Sequence, residues 1–219
     1  MDKKKVALMM GGSKKIPWYL SGGIPSAVCE AAYQPIGATS YVSSKVNLVN
    51  SSTHALVDTN HIPAWTAEGG WSNDAVANLY LLSDIVPIKN SAYIIRFSDY
   101  VAGSTGLCEG ANQYYGVGYA FGTTWRFGNG ASKDIAMINA YGTLAVSGLR
   151  CFIDGVYKGS ISDADLTTTQ KLKFLISSLN TDATLKHALN GKVQAVAYYT
   201  TVLSDDVILG LHTAMMALP

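Results

Sequence analysis

Charged side chains are scarce in this chain: they make up 14% of its 219 residues, and the formal net charge at pH 7 is +1. No cluster of lysine and arginine is interleaved with aromatic residues, so the basic stripe of a nucleic-acid-binding protein is missing. No apolar run approaches the roughly 20 residues that a membrane-spanning helix requires. The run from Val6 to Met10 is also shorter than the roughly 7 to 15 residues of a signal-peptide core. We therefore predict no nucleic-acid partner, no membrane partner and no secretion signal.

Patterns that hold disulfides or metals are missing as well. The cysteines are odd in number and form no CxxC pair, which indicates buried free thiols at Cys29, Cys108 and Cys151. The histidines show no HxH or HxxxH spacing of the kind that zinc sites use: they are His54, His61, His187 and His212. Oxygen ligands for Ca²⁺ could come from three aspartates that lack EF-hand spacing: Asp163, Asp165 and Asp182. We predict no metal and no other cofactor.

A strong hairpin signal lies between Leu149 and Gly159. Two β-prone runs flank Asp154-Gly155, a pair that accepts the positive φ angles of a type I′ turn. Because side chains alternate across a strand, Leu149, Cys151 and Ile153 share one apolar face. A lone hairpin is barely stable in water, so this face must pack against a second layer of strands.

The rest of the chain supplies further strands and one helix. Short β-rich segments separated by turn residues follow one another from residue 79, and helical periodicity is absent between residues 79 and 147. A helix is predicted after Ser204, whose hydroxyl is placed to cap it, with two acids in its first turn. Its apolar face consists of Val207, Ile208, Leu211 and Met215. The pattern predicts an antiparallel sandwich or barrel closed by a short C-terminal helix.

Two segments depart from this pattern. Residues 1 to 28 contain five lysines and isolated apolar words, including Trp18-Tyr19-Leu20. We predict an N-terminal arm that packs on the main domain, residues 29 to 219, or serves as an assembly contact with a neighbouring subunit; a frayed terminus is the alternative. Residues 50 to 74 carry Trp65 and Trp71 among many small polar residues. They predict a long irregular loop that provides a binding or contact surface.

The order of pieces between residues 140 and 212 resembles a known family. The pieces are, in order, a strand, the Asp-Gly hairpin and an apolar strand at Lys171 to Ile176. They are followed by Leu189-Asn190-Gly191-Lys192-Val193, which leads to Tyr198-Tyr199, and by Leu203-Ser204-Asp205, which opens the last helix. This order resembles the C-terminal half of concanavalin A-like (laminin G-like) jelly-roll domains. The resemblance implies an all-β, concanavalin A-like jelly-roll β-sandwich with a short C-terminal helix and an N-terminal arm.

The beginning of the chain resembles the openings of such domains in tailed-phage virion proteins. The similar words are Pro17-Trp18-Tyr19-Leu20, Ala31-Ala32-Tyr33-Gln34-Pro35 and Lys45-Val46-Asn47-Leu48. This resemblance implies a non-enzymatic structural component of a bacteriophage particle, such as a head fibre, a decoration protein or a tail appendage. Its location would be the virion, and its partners would be other virion proteins and copies of itself. Because the same fold also serves lectins and glucanases, a carbohydrate-binding adhesin and a glycoside hydrolase remain alternatives.

The hydrolase alternative lacks its usual carboxylates. Retaining glucanases of this fold carry Glu-x-Asp-x-x-Glu on one strand, whereas the glutamates here are isolated, at Glu30, Glu68 and Glu109. The available aspartate pairs are interpreted as a solvated turn and as the first helical turn: Asp163 with Asp165, and Asp205 with Asp206. No G-x-S-x-G motif is present. We predict that the chain is not an enzyme.

Aromatic residues are the remaining functional signal. The chain has thirteen tyrosines and four tryptophans, and Tyr114, Tyr115 and Trp125 lie in or beside a glycine-rich segment. These residues could form a stacking platform for a glycan. Alternatively they could pack across strands or at subunit interfaces, which is the commoner use of Tyr and Trp in sandwiches. We name these three as possible glycan or interface contacts.

Overall fold

The structure is a computed structural model that describes residues 16–58, 62–72, 80–100, 108–109, 115–119, 124–136, 139–166, 169–174, 178–179, 185–187 and 191–219. Helices are short in this part of the chain: α1 (Tyr41–Ser44) and α2 (Asp205–Met216), with 3₁₀ turns at Trp18–Leu20 and Ser26–Val28. The strands are β1 (Cys29–Tyr33), β2 (Val57–Asp58), β3 (Ala64–Thr66), β4 (Gly70–Ser72), β5 (Leu81–Leu82), β6 (Ala92–Ser98), β7 (Cys108–Glu109), β8 (Tyr115–Tyr119), β9 (Thr124–Asn129), β10 (Ala131–Ala136), β11 (Gly142–Ser147), β12 (Arg150–Ile153), β13 (Val156–Ser160), β14 (Lys173–Phe174), β15 (Ser178–Leu179), β16 (Leu185–His187) and β17 (Lys192–Tyr199).

The strands form two facing antiparallel sheets. The eight-stranded sheet has the order β13-β12-β11-β6-β17-β4-β3, and β1 pairs with β17 further along that strand. The seven-stranded sheet has the order β10-β9-β8-β7-β14-β5-β2, while β15 and β16 form a separate two-stranded ribbon. The fold is an all-β sandwich with a short C-terminal helix, which confirms the predicted fold class.

The space between the two sheets is filled by aromatic and branched side chains. Trp71 and Val196 come from the eight-stranded sheet, and Trp125, Phe127 and Phe174 come from the seven-stranded sheet. All of them are at most 1% exposed, so this is the main core of the domain. Burial of such large apolar surfaces is the principal stabilising term for a sandwich.

A second core lies on the opposite face of the eight-stranded sheet, beneath α2. The sheet contributes small side chains to this core, which lets the helix approach closely: Ala32, Ala92, Ala145, Ala195 and Ala197. The helix contributes Ile208, Leu211 and Met215, and Val207 packs at the margin. The predicted apolar face of the helix is therefore confirmed. Neither helix in the described residues has the length and apolar composition that a membrane span requires.

The hairpin of β12 and β13 has the predicted turn. Asp154 and Gly155 both have positive φ, at 52° and 74°. The carboxylate of Asp154 accepts a hydrogen bond from the backbone N–H of Thr143 on the neighbouring strand β11. Gly155 lies directly under α2, where an added Cβ would be 3.1 Å from the Cα of Leu209. Because Gly155 has no side chain, α2 can pack directly against the turn.

The start of α2 differs from the sequence-based expectation. Ser204 occupies the N-cap position, but its side chain makes no capping hydrogen bond. Instead, Asp205 in the first turn forms an ion pair with Arg150 of β12, so the helix start is fixed to the hairpin. The guanidinium of Arg150 also lies 4.6 Å from the ring centroid of Tyr157.

The described part of the N-terminal arm packs on the main domain. Trp18 and Ile24 belong to the core beneath α2, and the hydroxyl of Tyr199 donates a hydrogen bond to the carbonyl of Tyr19. Residues 1–15 lie outside the described residues. The proposed role of the arm as an assembly contact stays a prediction.

The segment 50–74 is not the long irregular loop that its composition indicated. It contains β2 and the hairpin of β3 and β4, in which Trp65 faces Trp71 across the two strands. Trp71 is fully buried and its indole N–H donates to the hydroxyl of Ser44, while the indole N–H of Trp65 donates to the carbonyl of Pro35. The abundance of Ser, Asn and Gly marks the turns between these short strands. Residues 59–61 and 73–74 lie outside the described residues.

Candidate ligand-binding face

The two sheets differ in how their outer faces are covered. The outer face of the eight-stranded sheet is buried beneath α2 and the segment around Trp18. Among the described residues, no helix packs on the outer face of the seven-stranded sheet. We call this surface the outer face. It is the sheet surface on which a ligand can meet side chains from several strands at once.

One row of residues crosses the whole outer face. Strand pairing aligns one residue from each of the seven strands: Ser132, Gly128, Gly116, Glu109, Lys173, Leu82 and Val57. Paired residues project to the same side of a sheet, and their neighbours along each strand, including Phe127, Phe174 and Leu81, are in the core. The members of this row whose side chains the structure describes therefore lie on the outer side. Two members of the row, Gly128 of β9 and Gly116 of β8, carry no side chain.

An arginine–aspartate pair lies beside these glycines. The Nε and Nη2 atoms of Arg126 donate to the two carboxylate oxygens of Asp134, at 2.6 and 2.7 Å. This two-point hydrogen bond holds the pKa of Asp134 below its ordinary value. The two side chains are 31% and 41% exposed, so the fork is fixed in place but reachable from solvent.

An aromatic residue lies near the other end of the row. Tyr80 is half-buried, and the Nζ of Lys173 lies 5.1 Å from its ring centroid. Val57 on the edge strand β2 is 61% exposed. The outer face thus carries an aromatic ring, an apolar edge and the charged hydrogen-bonding pair of Arg126 and Asp134. Such groups suit a ligand that has both apolar and polar parts.

The aromatic residues selected from the sequence do not lie on this face. Trp125 is fully buried and Tyr115 is 1% exposed; both rings point into the core between the sheets. The hydroxyl of Tyr115 shares a 2.8 Å hydrogen bond with Ser91. Because neither ring offers a face to solvent, the structure favours the packing alternative for these two residues over a sugar platform. Tyr114 lies outside the described residues.

The aspartate pairs are in the surroundings that the sequence indicated. Asp163 and Asp165 are 73% and 94% exposed and face the Nζ of Lys89, at 2.5 and 3.7 Å. Asp205 and Asp206 are in the first turn of α2. Asp182 lies outside the described residues.

Two of the three cysteines are buried free thiols, Cys29 and Cys151. Burial raises the pKa of each thiol to about 12. The side chain of Cys108 is outside the description.

These pKa values predict that the native thiols are inert. At pH 8, a thiol with a pKa of about 12 is ionised to roughly one part in ten thousand, and the thiolate is the reactive form. In a Cys108→Ser variant, we expect the folded protein to release almost no thionitrobenzoate from Ellman's reagent over an hour. Unfolding in guanidinium should release the signal of both remaining thiols. Rapid reaction of the folded variant would contradict the buried positions of Cys29 and Cys151.

A further cluster, which no sequence pattern predicts, lies at one end of the sandwich. His54 lies between two carboxylates: its Nδ1 is 2.5 Å from Oδ1 of Asp84, and its Nε2 is 3.6 Å from Oε1 of Glu30. The hydroxyl of Tyr33 donates to the carbonyl of His54 at 2.5 Å. Burial raises the pKa of Glu30, against the opposing effect of His54.

This cluster is not built to hold a metal ion. No group of three or more potential ligands in the described residues has a suitable arrangement. The reason here is geometric, because the two carboxylates contact opposite ring nitrogens of His54 and one ion can bind only one of those nitrogens. His212 hydrogen-bonds to Thr143 instead, while His61 and the side chain of His187 lie outside the description.

Comparison with known proteins identifies similar folds. No protein-family model matches the chain, and no curated protein matches it in sequence. A mutant Trypanosoma rangeli sialidase with trans-sialidase activity superimposes with a TM-score of 0.60 at 11% identity, over 89% of this chain and 34% of the sialidase. This chain therefore spans about a third of the sialidase's length.

Two further solved structures have similar folds. Domain 4 of AbnA, a GH43 extracellular arabinanase from Geobacillus stearothermophilus in complex with arabinotriose, has a TM-score of 0.57 at 12% identity, over 84% of this chain and 98% of that domain. The botulinum neurotoxin serotype D binding domain has a TM-score of 0.59 at 10% identity, over 88% of this chain and 53% of that chain. At these identities the comparisons show a shared β-sandwich fold.

Proposed function

We propose that this chain is a non-catalytic glycan-binding module and that the outer face is its binding surface. The observation that carries the proposal is the likeness to domain 4 of the arabinanase, which matches nearly end to end and holds arabinotriose. A match to a whole domain supports a shared kind of task better than a match to one third of a large enzyme.

The chemistry of the outer face supports this proposal. A sugar ring has an apolar side that stacks on aromatic rings and a rim of hydroxyl groups that pair with charged hydrogen-bonding groups. Tyr80 supplies the ring, and the fork of Arg126 and Asp134 supplies fixed donors and acceptors.

Binding to arabinotriose and to a sialylated trisaccharide tests the proposal. We expect saturable binding of at least one of them by calorimetry or by ligand-observed NMR. Tyr80→Ala should weaken that binding by about 2- to 10-fold, the worth of one aromatic contact. The double variant Arg126→Gln/Asp134→Asn should weaken it by about 10-fold or more, because charge-assisted hydrogen bonds are lost together.

The control is Tyr141→Ala, since Tyr141 is 61% exposed and lies at the start of β11 in the other sheet. It should leave affinity unchanged. Equal loss of binding in Tyr80→Ala and Tyr141→Ala would place the site elsewhere. Absence of binding to every member of a broad glycan array would overturn the proposal.

The virion role stays a proposal drawn from the sequence resemblance. A head fibre, decoration protein or tail appendage can also bind host glycans, so the two roles are compatible. Homo-oligomerisation belongs to the same proposal. Light scattering on the full chain tests it, and detection of the chain among the proteins of purified phage particles tests the virion role.

A further inference from the structure

The cluster of Glu30, His54 and Asp84 joins three separate parts of the chain. Glu30 lies on β1, His54 lies in the turn before β2, and Asp84 follows β5. The side chains of His54, Glu30 and Asp84 are 23%, 30% and 55% exposed, so solvent protons reach the cluster while its ionic contacts are partly shielded.

The cluster lies next to a weak place in the seven-stranded sheet. In the described residues, strand β2 pairs with β5 at two positions, Val57 with Leu82 and Asp58 with Leu81. Two pairs alone do not hold an edge strand in water. One anchor is the ion pair of Asp58 with Lys45, at 2.6 Å. Another is His54, three residues before β2, which contacts Asp84, two residues after β5.

Favourable contacts with both carboxylates depend on one proton. A neutral imidazole has one N–H donor and one lone pair, whereas an imidazolium has two donors. With two protons, His54 can donate to Asp84 and attract Glu30 at the same time. After one proton is lost, its lone pair faces the carboxylate of Glu30, and two negative charges share the site.

We propose that Glu30, His54 and Asp84 form a proton-operated latch that fastens the ends of β2 and β5 to β1 and loosens when the shared proton leaves. Acidification tightens this latch, and a rise in pH releases it. Burial raises the pKa of Glu30, and His54 opposes that rise. A carboxyl group with a raised pKa in the folded state stabilises the fold at low pH and loses that contribution as pH rises.

The two tyrosines near this cluster do not change their protonation near neutral pH. The hydroxyl of Tyr33 donates a hydrogen bond to the carbonyl of His54, and Tyr198 interacts electrostatically with Glu30. Both phenols have raised pKa values, mainly through burial, and stay protonated at neutral pH. The test therefore uses the range from about pH 5.5 to about pH 8, which brackets the ordinary pKa of a histidine side chain.

The test compares thermal unfolding of the wild-type chain and of Glu30→Gln across that pH range. Glutamine keeps the shape of the side chain and can donate to His54 at any pH, so its contribution does not titrate. We expect the wild type to have the higher midpoint at about pH 5.5 and to lose about 2 to 4 °C relative to the variant by about pH 8. Titration of His212 is common to both proteins and cancels in the difference.

Glu68→Gln is the matched control, because Glu68 is an exposed glutamate in the turn between β3 and β4. Its midpoint should follow the wild type at every pH. Hydrogen exchange provides a second readout: protection of the Leu56 amide, which donates to Lys45, should fall with rising pH in the wild type but not in Glu30→Gln. If Glu30→Gln fails to fold, Asp84→Asn at the more exposed end replaces it. Parallel curves for wild type and variant would overturn the latch, whatever the outcome of the glycan experiments.

Discussion

Replacing Trp125 by alanine is expected to lower the free energy of unfolding by about 3 to 5 kcal/mol, the usual cost of deleting a large buried aromatic side chain. Trp125 is fully buried on β9, with its ring centroid 5.0 Å from that of Phe97 and 4.3 Å from that of Tyr100. Its removal would leave a cavity between the two sheets. Chemical denaturation followed by circular dichroism measures the loss.

Two other substitutions make this result specific. Trp125→Phe should cost clearly less than Trp125→Ala, because the indole N–H has no hydrogen-bond partner among the described residues and the phenyl ring refills part of the space. Tyr141→Ala, at an exposed aromatic position, should change stability by no more than about 0.5 kcal/mol. A folded Trp125→Ala variant with wild-type stability and altered glycan binding would contradict the buried position and restore Trp125 as a surface contact.

Trp125 also shows which property of β9 the sequence does not predict, namely the side of the strand that faces the core. Alternation along a strand separates Trp125 and Phe127 from Arg126, but it does not say which side is covered by the other sheet. An aromatic residue suits either side of a sandwich strand. The choice depends on a facing sheet whose residues, such as Phe97, come from a distant part of the sequence.

Local signals were sufficient elsewhere. The Asp154-Gly155 turn has its own backbone requirement, and the apolar face of α2 follows from a 3.6-residue period, so both could be predicted and both are confirmed. The predicted capping hydrogen bond of Ser204 is wrong. The helix start is held instead by the ion pair of Asp205 with Arg150, which lies far away in the sequence. In the same way, no pattern within residues 50–58 indicates that His54 lies between Glu30 and Asp84.

Composition misled the interpretation of residues 50–74 for a physical reason. Very short strands need few β-branched residues when their backbones pair with a long central strand, as β4 does with β17. The glycines of this segment do not all lie in loops. Gly70 is instead a close-packing position beside the irregular pairing of β17 between Val193 and Ala195.

Gly70→Ala is expected to destabilise the fold by about 2 to 5 kcal/mol. Gly70 has φ of +84°, a conformation that costs a residue with a Cβ about 1 to 2 kcal/mol. An alanine Cβ would also lie 2.3 Å from the carbonyl oxygen of Val193 and 3.1 Å from the Cα of Gln194. These atoms belong to the backbone of a central strand and cannot rotate away, so overpacking adds about 1 to 3 kcal/mol.

Gly23→Ala separates the two contributions. Gly23 has φ of +80°, nearly the same backbone strain, but no atom of the part of the chain that the structure describes lies within 4 Å of its added Cβ. The difference between the two variants in urea denaturation should therefore report the contact with β17 alone, at about 1 to 3 kcal/mol. Equal destabilisation by the two substitutions would mean that β4 does not approach β17 as closely as the structure shows. Such a result would remove the hairpin of β3 and β4 from its place in the eight-stranded sheet.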